Sequence, residues 1–357
     1  MEKKFFVSSS PHIFSQESVP RIMFTVSLSL VPAGIGSVYF FGLRALWLII
    51  IGIVSAVATE ALMQKMMRRP VTIWDGSAIL TGILMSYNVS ASVPLWMPAV
   101  GSFFAIAVGK MVFGGLGYNP MNPALLGRAF LLASWPTHMT IFSDAIPRGG
   151  NVSGVMSIPN NLSDASIDML TGATPLNVLK TAKSIIVNPQ NYTPEQTAEA
   201  SNIIGKLYDS LDTLFIGRVG GCLGETSVLL LLIGAAFLMY KRYIGWKIPF
   251  TYVGTVALLS WVFGGTDGLL SGNPIFHILS GGLILGAFYM ATDMVTTPVT
   301  FAGRIYFGIG CGVITVIIRQ IGGYPEGVSY SILLMNLLTP LLDRWTRPNV
   351  FGGKKKA

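Results

Sequence analysis

Charge is scarce in this chain. Asp, Glu, Lys and Arg make up 11% of its 357 residues, against about 25% in a typical soluble domain. So few charges cannot cover a soluble surface. Hydrophobic residues reach 52%, which excludes intrinsic disorder. There are two cysteines, Cys222 and Cys311, and three histidines, His12, His138 and His277. Two thiols cannot build a disulfide framework or a four-cysteine metal site. The histidines are too scattered for a metal cluster. Both cysteines read as small buried hydrophobes. A Ser/His/Asp arrangement and a phosphate-binding Gly-rich strand–helix unit are missing too. The net charge is +8, but its basic residues sit between apolar runs. That pattern marks membrane topology and not nucleic-acid binding.

What remains is a polytopic membrane protein, with a mean hydropathy of +0.61. A span needs about 20 apolar residues, fewer where it is broken or re-entrant. Ten runs qualify: 22–43, 45–64, 77–93, 95–113, 119–135, 221–240, 248–265, 275–293, 301–320 and 327–343. The third and fifth are short and interrupted by Gly, Asn or Pro, which is tolerated only where backbone lines a protein-enclosed cavity. Residues 1–20 are polar and a second run follows the first at once, so the first run reads as a start-transfer helix.

Lys and Arg set the direction. With the N-terminus inside, Lys3, Lys4, Arg21, Lys65, Arg68, Arg69, Lys110, Lys241, Arg242, Lys247 and Arg304 all fall inside, as does the tail from Arg344 to Lys356. Outside there is Arg44, with Arg319 at a helix end. The bias predicts both termini in the cytoplasm. The domain plan is a cytoplasmic segment (1–21), a first five-helix repeat (22–135), an extracytoplasmic loop or small domain (136–220), a second five-helix repeat (221–343) and a basic cytoplasmic tail (344–357). The extracytoplasmic part is polar and long enough to be functional, with a helical patch near 194–213.

The repeat is faint. Ile79-Leu80-Thr81-Gly82 matches Ile278-Leu279-Ser280-Gly281, Gly114-Gly115 matches Gly322-Gly323, and the same register sets Leu125-Leu126 against Leu333-Leu334 and Arg128 against Asn336. Five spans per half would invert the second copy, a transporter-type plan with sites near the repeat interface at broken helices.

Several residues are candidates for chemistry. Thr174, in Thr171-Gly172-Ala173-Thr174-Pro175, reads either as an ordinary turn or as an exposed hydroxyl to which a phosphate-bearing group is esterified. Asn119 and Asn122 flank prolines in the broken fifth span; their amides suit the edge of a planar ligand such as an isoalloxazine ring. Arg128 lies inside that span, where a lone cation costs at least ~2.5–3.5 kcal/mol, so a partner or cavity must face it. Glu60 and Asp293 lie near cytoplasmic ends of spans and are the candidates for a Na+ or proton path. Asp75 reads as a helix cap, Glu326 as a helix-end acid, and Asp343 as a partner of Arg344.

Two stretches in this set carry a resemblance. The chain resembles the NqrB/RnfD family, on its RnfD side, over nearly its full length. The resemblance rests on Asp168 to Leu176, similar to the flavinylation motif Asp-x-x-Ser/Thr-Gly-Ala-Thr, on the stretch Gly114 to Phe130, and on ten spans with a large outside loop. Thr171 stands where Ser is common. The resemblance implies an all-α, urea-transporter-like fold of two inverted five-helix repeats with short or broken helices. It implies FMN attached through its phosphate to Thr174 by a flavin transferase that reads Asp168, Thr171, Gly172 and Ala173. It implies a second, non-covalent flavin, riboflavin, in the membrane part, where Asn119, Asn122 and Arg128 are the candidate neighbours. It also implies a place in an Rnf complex (with RnfA, RnfB, RnfC, RnfE and RnfG) that moves electrons between ferredoxin and NAD and couples this to Na+ or H+ movement across a bacterial or archaeal cytoplasmic membrane. The isolated chain would complete no reaction. The competing readings are an NqrB-like subunit of a Na+-translocating NADH:quinone reductase, a small-solute pore on the same scaffold, and an assembly scaffold in a complex. A pore alone leaves Thr174 and the outside loop unexplained.

Overall fold

A computed structural model describes residues 17–142, 174–188, 190, 192–265, 268–324 and 326–348. Among these the structure is helical, and β-pairing is limited to an isolated bridge between Ser90 and Cys222. Helix α1 (Val19–Phe41) starts at Ser18, whose hydroxyl accepts from the Arg21 amide at 3.4 Å. Gly42, at φ 76°, ends it and starts α2 (Leu43–Met66) without a loop. Asp75 stands one residue before the N-cap of α3 (Ser77–Tyr87), which is Gly76, and still accepts from the Ser77 amide at 2.8 Å. Helix α4 (Trp96–Ile106) runs on through a π-helical turn, Ala107–Met111. Asn122 caps α5 (Pro123–Ser134), and α6 (Pro136–Thr140) is one turn.

Three helices follow outside the apolar runs. They are α7 (Pro175–Val187), α8 (Pro194–Asp209) and α9 (Leu211–Ile216). Each of the first two opens on Thr-Pro, a side-chain cap followed by a ring already set at a helical φ. The helical patch expected near 194–213 is α8 and the start of α9; α7 is an addition to it. The remaining helices are α10 (Val228–Tyr240), α11 (Lys247–Phe263), α12 (Pro274–Leu279), α13 (Leu283–Leu285) with a π-helical turn Gly286–Met290, α14 (Phe301–Gln320) and α15 (Val328–Trp345).

By length and composition α1, α2 and α14 can cross a membrane alone, and α3, α4, α5, α10 and α11 are shorter apolar helices. The outer faces of α1 and α2 carry exposed Leu28, Ile35, Trp47 and Val54. Exposed apolar surface of that kind belongs against lipid.

The broken segments meet in the middle. The third run stops being helical at Tyr87, and the sixth, read as 221–240, becomes α-helical only at Val228. Their irregular ends pair: the Leu223 amide donates to the Val89 carbonyl at 2.9 Å. The eighth run, read as 275–293, breaks between α12 and α13, with Gly281 at φ 69°. Irregular backbone that is buried must be satisfied by other protein groups.

One device recurs along the chain to hold a broken helix. Tyr87, ending α3, donates to the Leu30 carbonyl in α1 at 2.7 Å. Tyr289, in the π-helical turn after α13, donates to the Leu231 carbonyl in α10 at 2.9 Å. Each tyrosine lies 57 or 58 residues after its acceptor, and α1 packs on α10. The tetrapeptides matched in sequence sit differently. Ile79–Gly82 is inside α3, where a Cβ on Gly82 would come within 2.7 Å of Ile53 Cα on α2. Ile278–Gly281 straddles the break after α12.

Candidate functional site

Three polar places stand out. The first surrounds Thr174. Asp168, Thr171, Gly172 and Ala173 lie outside the described residues. Thr174 caps α7: its hydroxyl oxygen accepts from the Asn177 amide at 3.3 Å, and its carbonyl accepts from Asn177 and Val178 at 2.9 and 3.0 Å. The residue is only 3% exposed, so a group esterified there must go on before this cover forms or displace it. The chemistry otherwise suits a phosphoester. An ester oxygen still accepts the capping hydrogen bond, and the phosphate's charge would sit at the positive end of a 13-residue helix.

Helix α7 docks through Leu176, Val178, Leu179, Ala182 and Ile185, which cluster with Ala200, Ile204 and Leu207 of α8 and with Phe276 of α12. Its polar side is held as well. Lys180 donates to the Gly322 carbonyl and Lys183 to the Gly264 carbonyl. Burial lowers the pKa of Lys183 from the usual 10.5 to about 8. The unfolded chain therefore binds more protons between pH 8 and 10.5, and stability should rise with pH across that window. The thermal midpoint of the parent should gain on that of a Lys183→Met variant as the buffer goes from about pH 8 to about pH 10. A constant difference would show that this amine does not titrate there.

The second place lies at the centre. Arg128 donates to Asn88 Oδ1 at 3.0 Å and Ser329 Oγ at 2.9 Å, and pairs with the Glu326 carboxylate. The side chain of Glu326 is 9% exposed. So the buried arginine finds its partner, and that partner is the acid expected at an ordinary helix end. Glu225 joins them: Cys222 Sγ and one oxygen each of Glu225 and Glu326 lie within 4.8 Å of one another. Glu225 is a site residue that the sequence reading does not single out, although an acid inside an apolar run is signal enough. Thiol and carboxylates are metal-ligand types, but here the guanidinium already supplies the cation. Arg319, expected at a helix end, is buried too and donates to the carbonyls of His277 at 2.7 Å and Ser280 at 3.1 Å. These belong to α12 and the break after it, so α12 touches the α7 cluster on one side and Arg319 on the other.

The third place is a cavity of about 90 Å³. It is lined by Ser77, Lys110, Asn119, Asn122, Tyr289 and Asp293, among others. The fold thus brings Asn119, Asn122 and Asp293 together, and leaves Arg128 out. Glu60 reaches the cavity through Lys110, whose ammonium lies 2.7 Å from both carboxylate oxygens and 2.6 Å from Ser77 Oγ. Lys110, a topology marker in the sequence, is thus a buried partner in the structure. Asp293 accepts from the Val295 amide at 3.4 Å and from Thr296 Oγ1 at 3.3 Å. Asn122 spends both ends of its amide on backbone, capping α5 and donating to the Met290 carbonyl at 3.3 Å. Asn119 donates to the Met121 carbonyl at 3.1 Å. Ligand pockets run from about 300 Å³ upward, so a flavin does not fit here unless the cavity widens.

Asp343 departs from its expected role. It accepts from the Val299 amide at 3.0 Å and ties the approach to α14, with no ion pair to Arg344 among the described residues.

Known proteins share this sequence over nearly its whole length. The sequence profile of the NQR2, RnfD, RnfE family matches residues 6–352. The chain is 46% identical over 351 residues to the D component of the proton-translocating ferredoxin:NAD(+) oxidoreductase complex of Clostridium ljungdahlii, covering 98% of this chain and 97% of that one. It is 45% identical over 356 residues to the D component of the Na(+)-translocating ferredoxin:NAD(+) oxidoreductase complex of Acetobacterium woodii, covering 99% and 97%. It is 38% identical over 341 residues to the D component of an ion-translocating oxidoreductase complex of Stutzerimonas stutzeri, covering 94% and 93%.

Proposed function

Because the chain belongs to the NQR2, RnfD, RnfE family, we propose that it is the D-type membrane subunit of an ion-translocating ferredoxin:NAD+ oxidoreductase complex and carries FMN esterified to Thr174. The observation that carries the flavin assignment is Thr174 itself. It ends a Thr-Gly-Ala-Thr element and caps a helix docked onto the membrane part through α12.

A flavin, when bound, accepts electrons from one carrier and passes them to another. The protein's task is placement and burial. Thr174 Oγ1 would hold the phosphate, with Asp168, Thr171, Gly172 and Ala173 read by the flavin transferase. A covalent tether keeps the group at high effective concentration on the extracytoplasmic side. The other members of the complex are the partners. The Clostridium and Acetobacterium relatives carry different ions in their names at nearly equal identity, so overall similarity does not choose between Na+ and H+. Both relatives act on ferredoxin and NAD+ by name, which favours the Rnf reading over the NADH:quinone one.

The family also supports a multi-pass membrane chain. We propose the finer topology of ten spans in two inverted repeats, with both termini cytoplasmic. The matched tyrosine bonds at Leu30 and Leu231 support it. So does Arg44, which donates to the carbonyls of Ser92 and Val93 at 3.2 and 3.0 Å. That contact puts the α1–α2 turn and the end of the third run on one side. Asp293, facing the cavity, and the Glu60–Lys110 pair beside it are the proposed polar entry from the cytoplasm. A non-covalent riboflavin in the membrane part requires that cavity to open.

Peptide mapping of the purified complex tests the flavin assignment. The peptide containing Thr174 should carry the mass of FMN less one water, and fragmentation should put it on Thr174. An unmodified peptide, from cells whose transferase has loaded another acceptor, would overturn it.

A further inference from the structure

The apolar face of α7 explains why the helix docks, but not where it stops. Hydrophobic contact is non-directional, and a helix can slide or roll on such a surface at small cost. Directional contacts must fix it, and two lysines supply them.

Lys180 and Lys183 are three residues apart, so they project from neighbouring points of one helix face. They reach in two directions. Lys180 Nζ ends on the carbonyl of Gly322, just beyond α14. Lys183 Nζ ends on the carbonyl of Gly264, just beyond α11. Carbonyls at helix ends have no intrahelical donor and carry the negative end of the helix dipole. Each ammonium is therefore matched to a fixed acceptor on the membrane part. Neither lysine pairs with a carboxylate among the described residues. A solvated lysine would extend to water, but both are partly buried here and both contacts are made across the domain boundary. Together with Phe276 of α12, they brace α7 at three separate points on the second membrane half.

We propose that Lys180 and Lys183 are positioning residues that hold the group on Thr174 at a fixed place over α11, α12 and α14 for electron transfer. This rests on the reading of Thr174 as the flavin attachment site. The lysines lie about two turns along α7 from its cap, so losing them frees the helix that carries the flavin while leaving the acceptor hydroxyl and its motif intact. Misplacing a reacting group lowers its rate. Rigid support around a site is what prevents that.

The test uses the purified complex with the double substitution Lys180→Met and Lys183→Met, beside the two lysine-to-arginine changes. Covalent loading is read from the fluorescence of the denatured chain. Electron transfer is read as ferredoxin-driven reduction of the chain's flavin. The methionine variant should load flavin fully and transfer electrons at least about tenfold more slowly, with the KM for ferredoxin unchanged. The arginine variant should recover most of the rate, because a donor is restored. Full loading with an unchanged rate would overturn the proposal. Where the double variant does not assemble, the single Lys180→Met and Lys183→Met variants give the same two readings. Absence of fluorescence in the parent complex would instead sink the Thr174 reading, so the two failures are distinguishable.

Discussion

Replacing Thr174 with alanine should abolish the covalent flavin completely and stop electron flow through the complex. The fluorescent band of the denatured chain should vanish. Alanine alone is an ambiguous test, because Thr174 is also the N-cap of α7. Losing a cap costs about 0.5–2 kcal/mol, so loss of activity would not separate a missing flavin from an undocked helix. Two companions separate these effects. Thr174→Asn keeps the cap, since asparagine is among the best capping residues, but offers no hydroxyl. It should give a stable, assembled and dark chain. Thr174→Ser keeps cap and hydroxyl and should retain fluorescence. A fluorescent Thr174→Asn chain would rule out the ester at this oxygen.

The second large effect is expected at Arg128. Its guanidinium serves Glu326, Asn88 and Ser329, with Cys222 Sγ at 4.0 Å. Removing one partner of a buried pair leaves an uncompensated charge and costs about 3–5 kcal/mol. Arg128→Met should therefore lower the unfolding free energy in detergent by that amount. Glu326→Gln also leaves the guanidinium without its partner, but it should cost less, because the amide oxygen can still accept from Arg128 and Glu225 stays against the cluster. The double variant Arg128→Met, Glu326→Gln should be more stable than the sum of the two losses implies, since no charge of the pair is stranded. Strict additivity in that cycle would show that the two side chains do not depend on each other. Glu225 makes the recovery incomplete, as it too lies against this cluster.

Hydropathy locates the membrane elements well because burial in lipid acts on whole segments. The runs 301–320, 248–265 and 22–43 match α14, α11 and α1 within a few residues. It does not show the breaks in the sixth and eighth runs. Backbone interruptions leave mean hydropathy unchanged. The signals are local: Gly221 and Gly224 in one run, Gly281-Gly282 in the other. At the site, Arg128's need for a partner is legible from the cost of a lone intramembrane cation. Which acid answers is not, because Glu326 lies 198 residues away in sequence. Glu60 poses the reverse case. In sequence it looks like a free carboxylate, and only the fold brings Lys110 within 2.7 Å. The motif points to Thr174 as an acceptor, whereas the Thr-Pro pair that makes it a helix cap is an equally plain signal of a different kind.

The two cysteines, finally, have a practical consequence. Cys222 and Cys311 are both buried and unpaired, and they are the only thiols in the chain. The native sequence should thus be nearly silent to impermeant thiol reagents. Leu43→Cys, beside the α1–α2 turn, or Tyr240→Cys, at the end of α10, would each create one reactive position on an otherwise unlabelled background, since both side chains are exposed. Labelling intact cells and inverted vesicles in parallel would then assign each turn to its side of the bilayer without first engineering the natural thiols away.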